Sequence, residues 1–280
     1  MDATAPRVDA HHYVWQRARG DYGWLTPDLG PIFRDFALDD LKPQLVAARV
    51  GATVIVQAAP TVAETEFLLG VARGSGGMVR GVVGWADLAA PDAIRTLARL
   101  ARDPLLKSIR PMPGLADPAW LARPDVGRAL DALPRLGLRV DVMVTTRELP
   151  KLLDLLARNP ELSVVIDHGA KPDIVGGAWE PWASLIADVA GHPRVRCKLS
   201  GLASEAGPDW TIDALSRYVD HLLACFGPQR LMWGSDWPIV ERAGGYRRWL
   251  AASVALLAPL AEADRAAVFG GTARKFYGLE

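Results

Sequence analysis

The chain has 280 residues, half of them hydrophobic, which is enough to bury one sizeable core and calls for no second domain. Thirty-two basic residues balance thirty-two acidic ones, with no basic run; this argues against nucleic acid or an anionic membrane surface as a partner and favours a small polar substrate. Two cysteines, Cys197 and Cys225, exclude a disulfide framework, residues 1–7 lack the basic-then-apolar pattern of a secretory signal, and no apolar run approaches a membrane span, so a cytoplasmic protein with two buried thiols is expected.

In chain order, β-type runs are read at residues 8–14, 52–58, 79–88, 106–112, 139–145, 162–170, 195–202 and 230–238, separated by the length of a crossover unit. Thr61 and Glu64 have capping-box spacing, so residues 61–73 are expected to form the second crossover helix, with a loop at 74–77. Leu149, Leu152, Leu153 and Leu156 fall at i, i+3, i+4 and i+7 and predict a helix between the fifth and sixth runs. Leu215, Val219, Leu222 and Phe226 mark a similar stripe after the seventh. Strict alternation with near-continuous apolar strands implies a parallel sheet covered by helices, and eight repeats favour a closed (β/α)8 TIM barrel over residues 1–280. The length agrees, since such barrels take about 250 residues. A doubly wound open sheet is the competitor, but neither GxGxxG nor GxxxxGK[ST] follows an early strand.

Active sites of such barrels lie at the carboxyl ends of the strands. Those ends carry His11, His12 and Tyr13; Trp85 and Asp87; Arg110; Asp141; Asp167 and His168; Lys198 and Ser200; and Asp236. Together they supply carboxylates, imidazoles and two cations. Strand alternation places residues 11 and 13 on one face and His12 on the other.

At these residues the sequence resembles the amidohydrolase superfamily, within it the amidohydrolase-2 group of sugar-acid lactonases, fuconolactonase-like and related to 2-pyrone-4,6-dicarboxylate lactonase. The resemblance runs nearly end to end. Its carriers are Asp9-Ala10-His11-His12-Tyr13-Val14-Trp15, Tyr22-Gly23-Trp24-Leu25, Gly84-Trp85-Ala86-Asp87-Leu88, Asp167-His168-Gly169-Ala170-Lys171-Pro172, Cys197-Lys198-Leu199-Ser200-Gly201-Leu202, Gly234-Ser235-Asp236-Trp237-Pro238 and Ala273-Arg274-Lys275-Phe276-Tyr277-Gly278-Leu279. It implies an enzyme that hydrolyses a cyclic ester, as rhamnonolactonase-like members do. One departure matters, because the group's first-strand His-x-His would require histidine at 13, where this chain has Tyr13. Metal-binding relatives use that pair; here His11, His168 and Asp236 remain, which would be the ligands of one divalent ion such as zinc. Loss of an imidazole removes much of the chelation, and the resemblance also covers lactonases that work without metal, so no cofactor is the favoured expectation.

Lactone hydrolysis asks for a base on water and charge stabilisation at the carbonyl oxygen. Asp236 is assigned as the base, with His11 and His168 holding it or donating to the oxyanion. Arg110 or Lys198 would stabilise that oxyanion or bind a substrate carboxylate. Tyr13, Trp15, Trp24 and Trp237 would line the pocket, and Asp141 is a weaker member of the substrate-binding set. The same residues have ordinary readings: a strand-end aspartate as a turn residue, His168 as a core histidine, Lys198 as the partner of Asp141. His192 and His221 are read as ordinary, and Trp120, Trp179, Trp182, Trp210 and Trp249 as helix packing. A lactone isomerase, a metal-dependent decarboxylase and a binding protein without turnover are the alternatives, and homo-oligomerisation is left open.

Overall fold

The computed structural model describes residues 6–112, 120 and 123–279. Residues 1–5, on which part of the expectation about a leader rests, lie outside them. The sheet has eight parallel strands in sequential order: β1 (Arg7–His12), β2 (Val50–Val56), β3 (Val79–Gly84), β4 (Leu106–Ile109), β5 (Arg139–Val142), β6 (Val164–Ile166), β7 (Val195–Leu199) and β8 (Leu231–Trp233). It closes through a parallel bridge between His12 and Trp237 and through Asp236 N–H donating to His11 C=O at 2.8 Å. The (β/α)8 barrel read from the sequence is therefore the architecture. Val54, Ile55 and Val56 have no exposed surface, as a strand covered on both faces requires.

The strands are shorter at their carboxyl ends than the sequence runs. Residues 167–170 leave the ladder in a turn and residues 234–236 lie past the end of β8, while His11, Asp141 and Lys198 stay within β1, β5 and β7. Crossover helices follow: α1 (Leu38–Ala47), α2 (Val62–Gly74), α3 (Ala93–Leu100), α4 (Pro124–Arg135), α5 (Leu149–Arg158), α6 (Trp182–Ala190), α7 (Ile212–Phe226) and α8 (Gly245–Leu256).

Three local expectations are corrected. In α2 the Thr61 hydroxyl accepts from Glu64 N–H at 3.0 Å, but the Glu64 carboxylate does not return to Thr61. It accepts from Tyr22 Oη at 2.7 Å and Ala58 N–H at 3.2 Å, because burial brings it under the loop after β1. In α5 the buried face is Leu149, Leu152, Leu155 and Leu156, with Leu153 half-buried at its flank. Cys197 is buried, whereas Cys225 is only half-buried, its Sγ 3.5 Å from His221 Nε2 on the same helix. Leu215, Val219, Leu222 and Phe226 do form the buried stripe of α7.

The C-terminal helix Thr272–Tyr277 crosses the amino ends of the strands and forms the barrel floor. Arg139 Nε at the start of β5 donates to Phe276 C=O at 2.7 Å, Lys107 Nζ beside the start of β4 donates to Gly278 C=O at 3.2 Å, and Arg274 Nη2 donates to Pro6 C=O at 3.0 Å. Among the described residues no helix is long and apolar enough to cross a membrane.

Candidate active site

His11 on β1 and His168 after β6 face each other across the mouth, ring centroids 4.5 Å apart. Glycine makes that approach fit. A Cβ at Gly201 would sit 2.6 Å from the His168 ring, and one at Gly234 would sit 2.7 Å from His11 Cβ. Residues 168–171 all have left-handed φ, as does Asp236 at +59°. His168, Ala170, Lys171 and Asp236 carry side chains in a region that favours glycine, and such strain persists where the surrounding structure over-determines it.

Asp236 Oδ1 lies 3.8 Å from His11 Nε2 and 3.7 Å from His168 Nε2. It is buried and has no hydrogen-bond partner among the described residues. Burial pushes the Asp236 carboxyl up to about 8, with Lys171 acting in the opposite direction. Burial, then Lys198, lowers His11 to about 3; burial, then His11, holds His168 well below its usual range. Both imidazoles are neutral near pH 7, so these contacts are not ion pairs.

Below them lies a buried charge cluster. Lys198 Nζ donates to Asp141 Oδ2 at 2.6 Å, lies 3.1 Å from His11 Nδ1, and forms an ion pair at 3.1 Å with Asp167 Oδ1, an oxygen that accepts no hydrogen bond among the described residues. Arg110 Nη1 donates to Asp167 Oδ2 at 3.1 Å and Tyr13 Oη at 3.2 Å, and its Nη2 donates to the Gln57 carbonyl. Burial alone would raise Asp167, but Lys198, His11 and Arg110 more than reverse it and hold that carboxyl well below the usual range. Burial raises Asp141 against the opposing pull of Lys198. Tyr13 Oη is 2.7 Å from His11 Nε2, so the phenol occupies the space a second imidazole would need. Ser200 Oγ holds His168 Nδ1 at 2.9 Å.

The structure thus brings together His11, Tyr13, Arg110, Asp141, His168, Lys198 and Asp236. Lys198 pairs with Asp141, as the ordinary reading had it. His12 faces away and pairs with Thr53 Oγ1 at 2.9 Å, in keeping with strand alternation. Trp15, Trp24 and Trp237 gather beside β1. Trp15 lies fully buried behind Tyr13, Trp237 packs edge-on against Phe36, and Trp24 is partly exposed with its indole N–H on Ala58 C=O at 2.7 Å. Trp85 and Asp87 stay outside the cluster: one donates to Met112 C=O, the other accepts from Ala89 N–H in a turn. His221 accepts no role here and packs on Trp179 and Trp182. Sequence reasoning gave Asp167 no role and missed Gln57 and Tyr277. Asp167 and Gln57 had a legible signal, a polar residue closing an apolar run. Tyr277 had none beyond its place in the closing motif.

His11, Asp167 and His168 also form a group able to hold a metal ion, each offering an atom within 4.8 Å of the others. His168 Nε2 and Asp236 Oδ1 fit such a role. His11 fits less well, because a metal on Nε2 requires hydrogen on Nδ1, and that nitrogen faces the Lys198 ammonium. Elsewhere, a surface groove of about 510 Å³ lined by Leu130, Pro134, Arg158 and Pro160 has no convergent buried polar groups.

The family profile described as amidohydrolase matches residues 8–279. An L-fucono-1,5-lactonase of Burkholderia ambifaria is 44% identical, with 98% of this chain and 96% of that protein covered; one of Burkholderia multivorans is 33% identical, with 98% and 97% covered. A crystal structure of an amidohydrolase from Burkholderia multivorans with bound zinc superposes with a TM-score of 0.91 at 34% identity over 99% of this chain and all of that one. A probable 2-pyrone-4,6-dicarboxylic acid hydrolase from Acinetobacter baumannii, 17% identical over 98% of this chain and all of that one, shares the fold at a TM-score of 0.79. With its profile spanning the whole barrel and its strand-end residues gathered at one mouth, the chain belongs to the amidohydrolase family.

Proposed function

We propose that this chain hydrolyses the lactone ring of a sugar acid, an L-fucono-1,5-lactone-like substrate, with Asp236 as general base. The substrate class rests on the near full-length likeness to two L-fucono-1,5-lactonases. The role of Asp236 rests on one observation, a buried carboxyl oxygen with no donor among the described residues, suspended between two neutral imidazoles at the barrel mouth.

With its carboxyl raised to about 8, Asp236 is ionised in a growing fraction as pH rises toward that value, and in that form it takes a proton from water as the water oxygen attacks the lactone carbonyl. The tetrahedral intermediate expels the ring oxygen, and the proton returns from Asp236 to that oxygen, leaving a hydroxyl and a carboxylic acid. The oxyanion needs a fixed donor. Tyr13 supplies it when its oxygen accepts from Arg110 and His11, because its own hydrogen then has no acceptor among the described residues. Burial keeps that phenol protonated, raising it above its ordinary range. Lys198 is engaged by Asp141 and His11 and ion-paired with Asp167, and both terminal nitrogens of Arg110 are engaged. We therefore assign these cations to holding Asp167, His11 and Tyr13 in place, in preference to direct substrate contact. Trp24, partly exposed, offers a flat face beside the mouth for the sugar ring.

A second reading places one divalent ion on His11, His168 and Asp236; the two histidines belong to the metal-capable cluster, whose carboxylate is Asp167, and a relative of the same fold carries zinc. When bound it would polarise the carbonyl and acidify water. It requires His11 to carry hydrogen on Nδ1.

The test is a panel of aldonolactones with product identification. Conversion to the open-chain acid, lost in Asp236→Asn, is expected. An isomeric lactone as the product, or a rate equal in wild type and Asp236→Asn, would overturn the reading.

A further inference from the structure

Tyr277 belongs to the floor of the barrel, yet its hydroxyl enters the interior and donates to Asp141 Oδ2 at 2.7 Å. That same oxygen accepts from Lys198 at 2.6 Å, and Lys198 reaches His11 Nδ1 at 3.1 Å. Tyr277, Asp141 and Lys198 are all fully buried. The Lys198 ammonium also lies 5.7 Å from the centroid of the Tyr277 ring, so hydroxyl and ring together bound the cation from below. A hydrogen-bonded column thus runs from floor to mouth.

The column has a consequence for hydrogen placement. Lys198 donates to Asp141 and reaches His11 Nδ1, and as an ammonium it can only donate; Asp167 Oδ1 accepts no hydrogen bond among the described residues. Asp167 Oδ1 lies farther from His11 Nδ1, at 3.4 Å, than Lys198 does, and a hydrogen on Nδ1 would point at an ammonium. His11 Nδ1 is therefore the acceptor and Nε2 carries the hydrogen, directed at Tyr13 Oη. Tyr13 then accepts from His11 and Arg110, and its own hydroxyl hydrogen is released toward the mouth.

We propose that Tyr277 is a positioning residue for the reaction: acting through Asp141 and Lys198 from the barrel floor, it fixes His11 in the Nε2–H tautomer and so frees the Tyr13 hydroxyl hydrogen for the substrate carbonyl oxygen. The last step rests on the lactonase reading above; the tautomer does not.

The experiment is nitrogen NMR of the purified, 15N-histidine-labelled full chain at pH 7, with the His11 signals assigned by their loss in His11→Gln, run beside steady-state kinetics on the lactone the panel identifies. Wild type is expected to show His11 protonated at Nε2 alone. Tyr277→Phe, which removes only the hydroxyl, is expected to mix the two tautomers and to lower kcat by roughly ten-fold, the scale of one lost hydrogen bond, with KM within about two-fold. If Tyr277→Phe does not fold, Asp141→Asn breaks the same column and is read in the same two ways. Three results overturn the proposal: His11 protonated at Nδ1 in wild type, an unchanged tautomer in the variant whatever its rate, or unchanged kcat with an altered tautomer. Absence of lactonase activity in wild type defeats the functional reading while leaving the tautomer measurement to judge the column.

Discussion

At the residue scale, the polar residues of the mouth divide, in the proposed reaction, into those that meet substrate and those that hold them. Asp236 is proposed for the first group. Removing a general base costs typically 10²- to 10⁴-fold, so Asp236→Asn should lose about that much in kcat while its thermal transition stays close to that of wild type; the lactone assay and a melting curve check both halves. Lys198 belongs to the second. It is surrounded by Asp141 and Asp167 with no exposed surface, and deleting one partner of a buried ionic group leaves the others uncompensated. Lys198→Met should therefore destabilise the fold by about 3–5 kcal/mol, read from the denaturant midpoint. A loss of activity without loss of stability would return Lys198 to the substrate.

At the element scale, the segment after β1 is fastened to α2 by Glu64. Its carboxyl accepts from Tyr22 and Ala58, with Arg19 Nε 3.4 Å away. Burial raises it from 4.5 to about 7, against the lowering effect of those donors. The folded form thus holds its proton more tightly than the unfolded chain does. The associated stability is fully present below pH 4.5 and is lost as pH rises through about 7. Glu64→Gln, which stays neutral, should compare more favourably with wild type at pH 8 than at pH 5 in thermal melts; an equal difference at both values would contradict the raised carboxyl. The Thr61 cap is worth about 1 kcal/mol, and Thr61→Ala should lower the denaturation midpoint accordingly. Which part of this junction was legible in sequence follows from range. The Thr61 hydroxyl reaches an amide three residues on, so local spacing announced it. Glu64 bonds Tyr22 across 42 residues, and no local pattern carries that. The same distinction explains α5, where the i, i+3, i+4 pattern located the helix but not that Leu155, rather than Leu153, turns inward.

At the scale of the whole molecule, alternation of apolar runs with helical stripes was enough to read the barrel, because a parallel strand buried on both faces and a one-sided helix leave different periods. Barrel geometry then turned strand ends into a site, and His11, Arg110, Asp141, His168, Lys198 and Asp236 do gather there. Their division of labour was not legible. It depends on which acceptors each cation reaches, and Lys198 finds Asp141 and His11 at separations of 57 and 187 residues. Tyr277 lies farther out of reach of sequence reasoning, since its hydroxyl meets Asp141 only when the last helix closes the barrel floor. The central claim is that the side chains of this mouth suffice for lactone hydrolysis. Its most direct test is turnover of L-fucono-1,5-lactone by chelator-treated protein whose metal content has been measured. Hydrolysis at an undiminished rate with far less than one metal per chain is expected. Loss of activity on stripping, restored by one equivalent of zinc, would contradict it and place the ion on His11, His168 and Asp236.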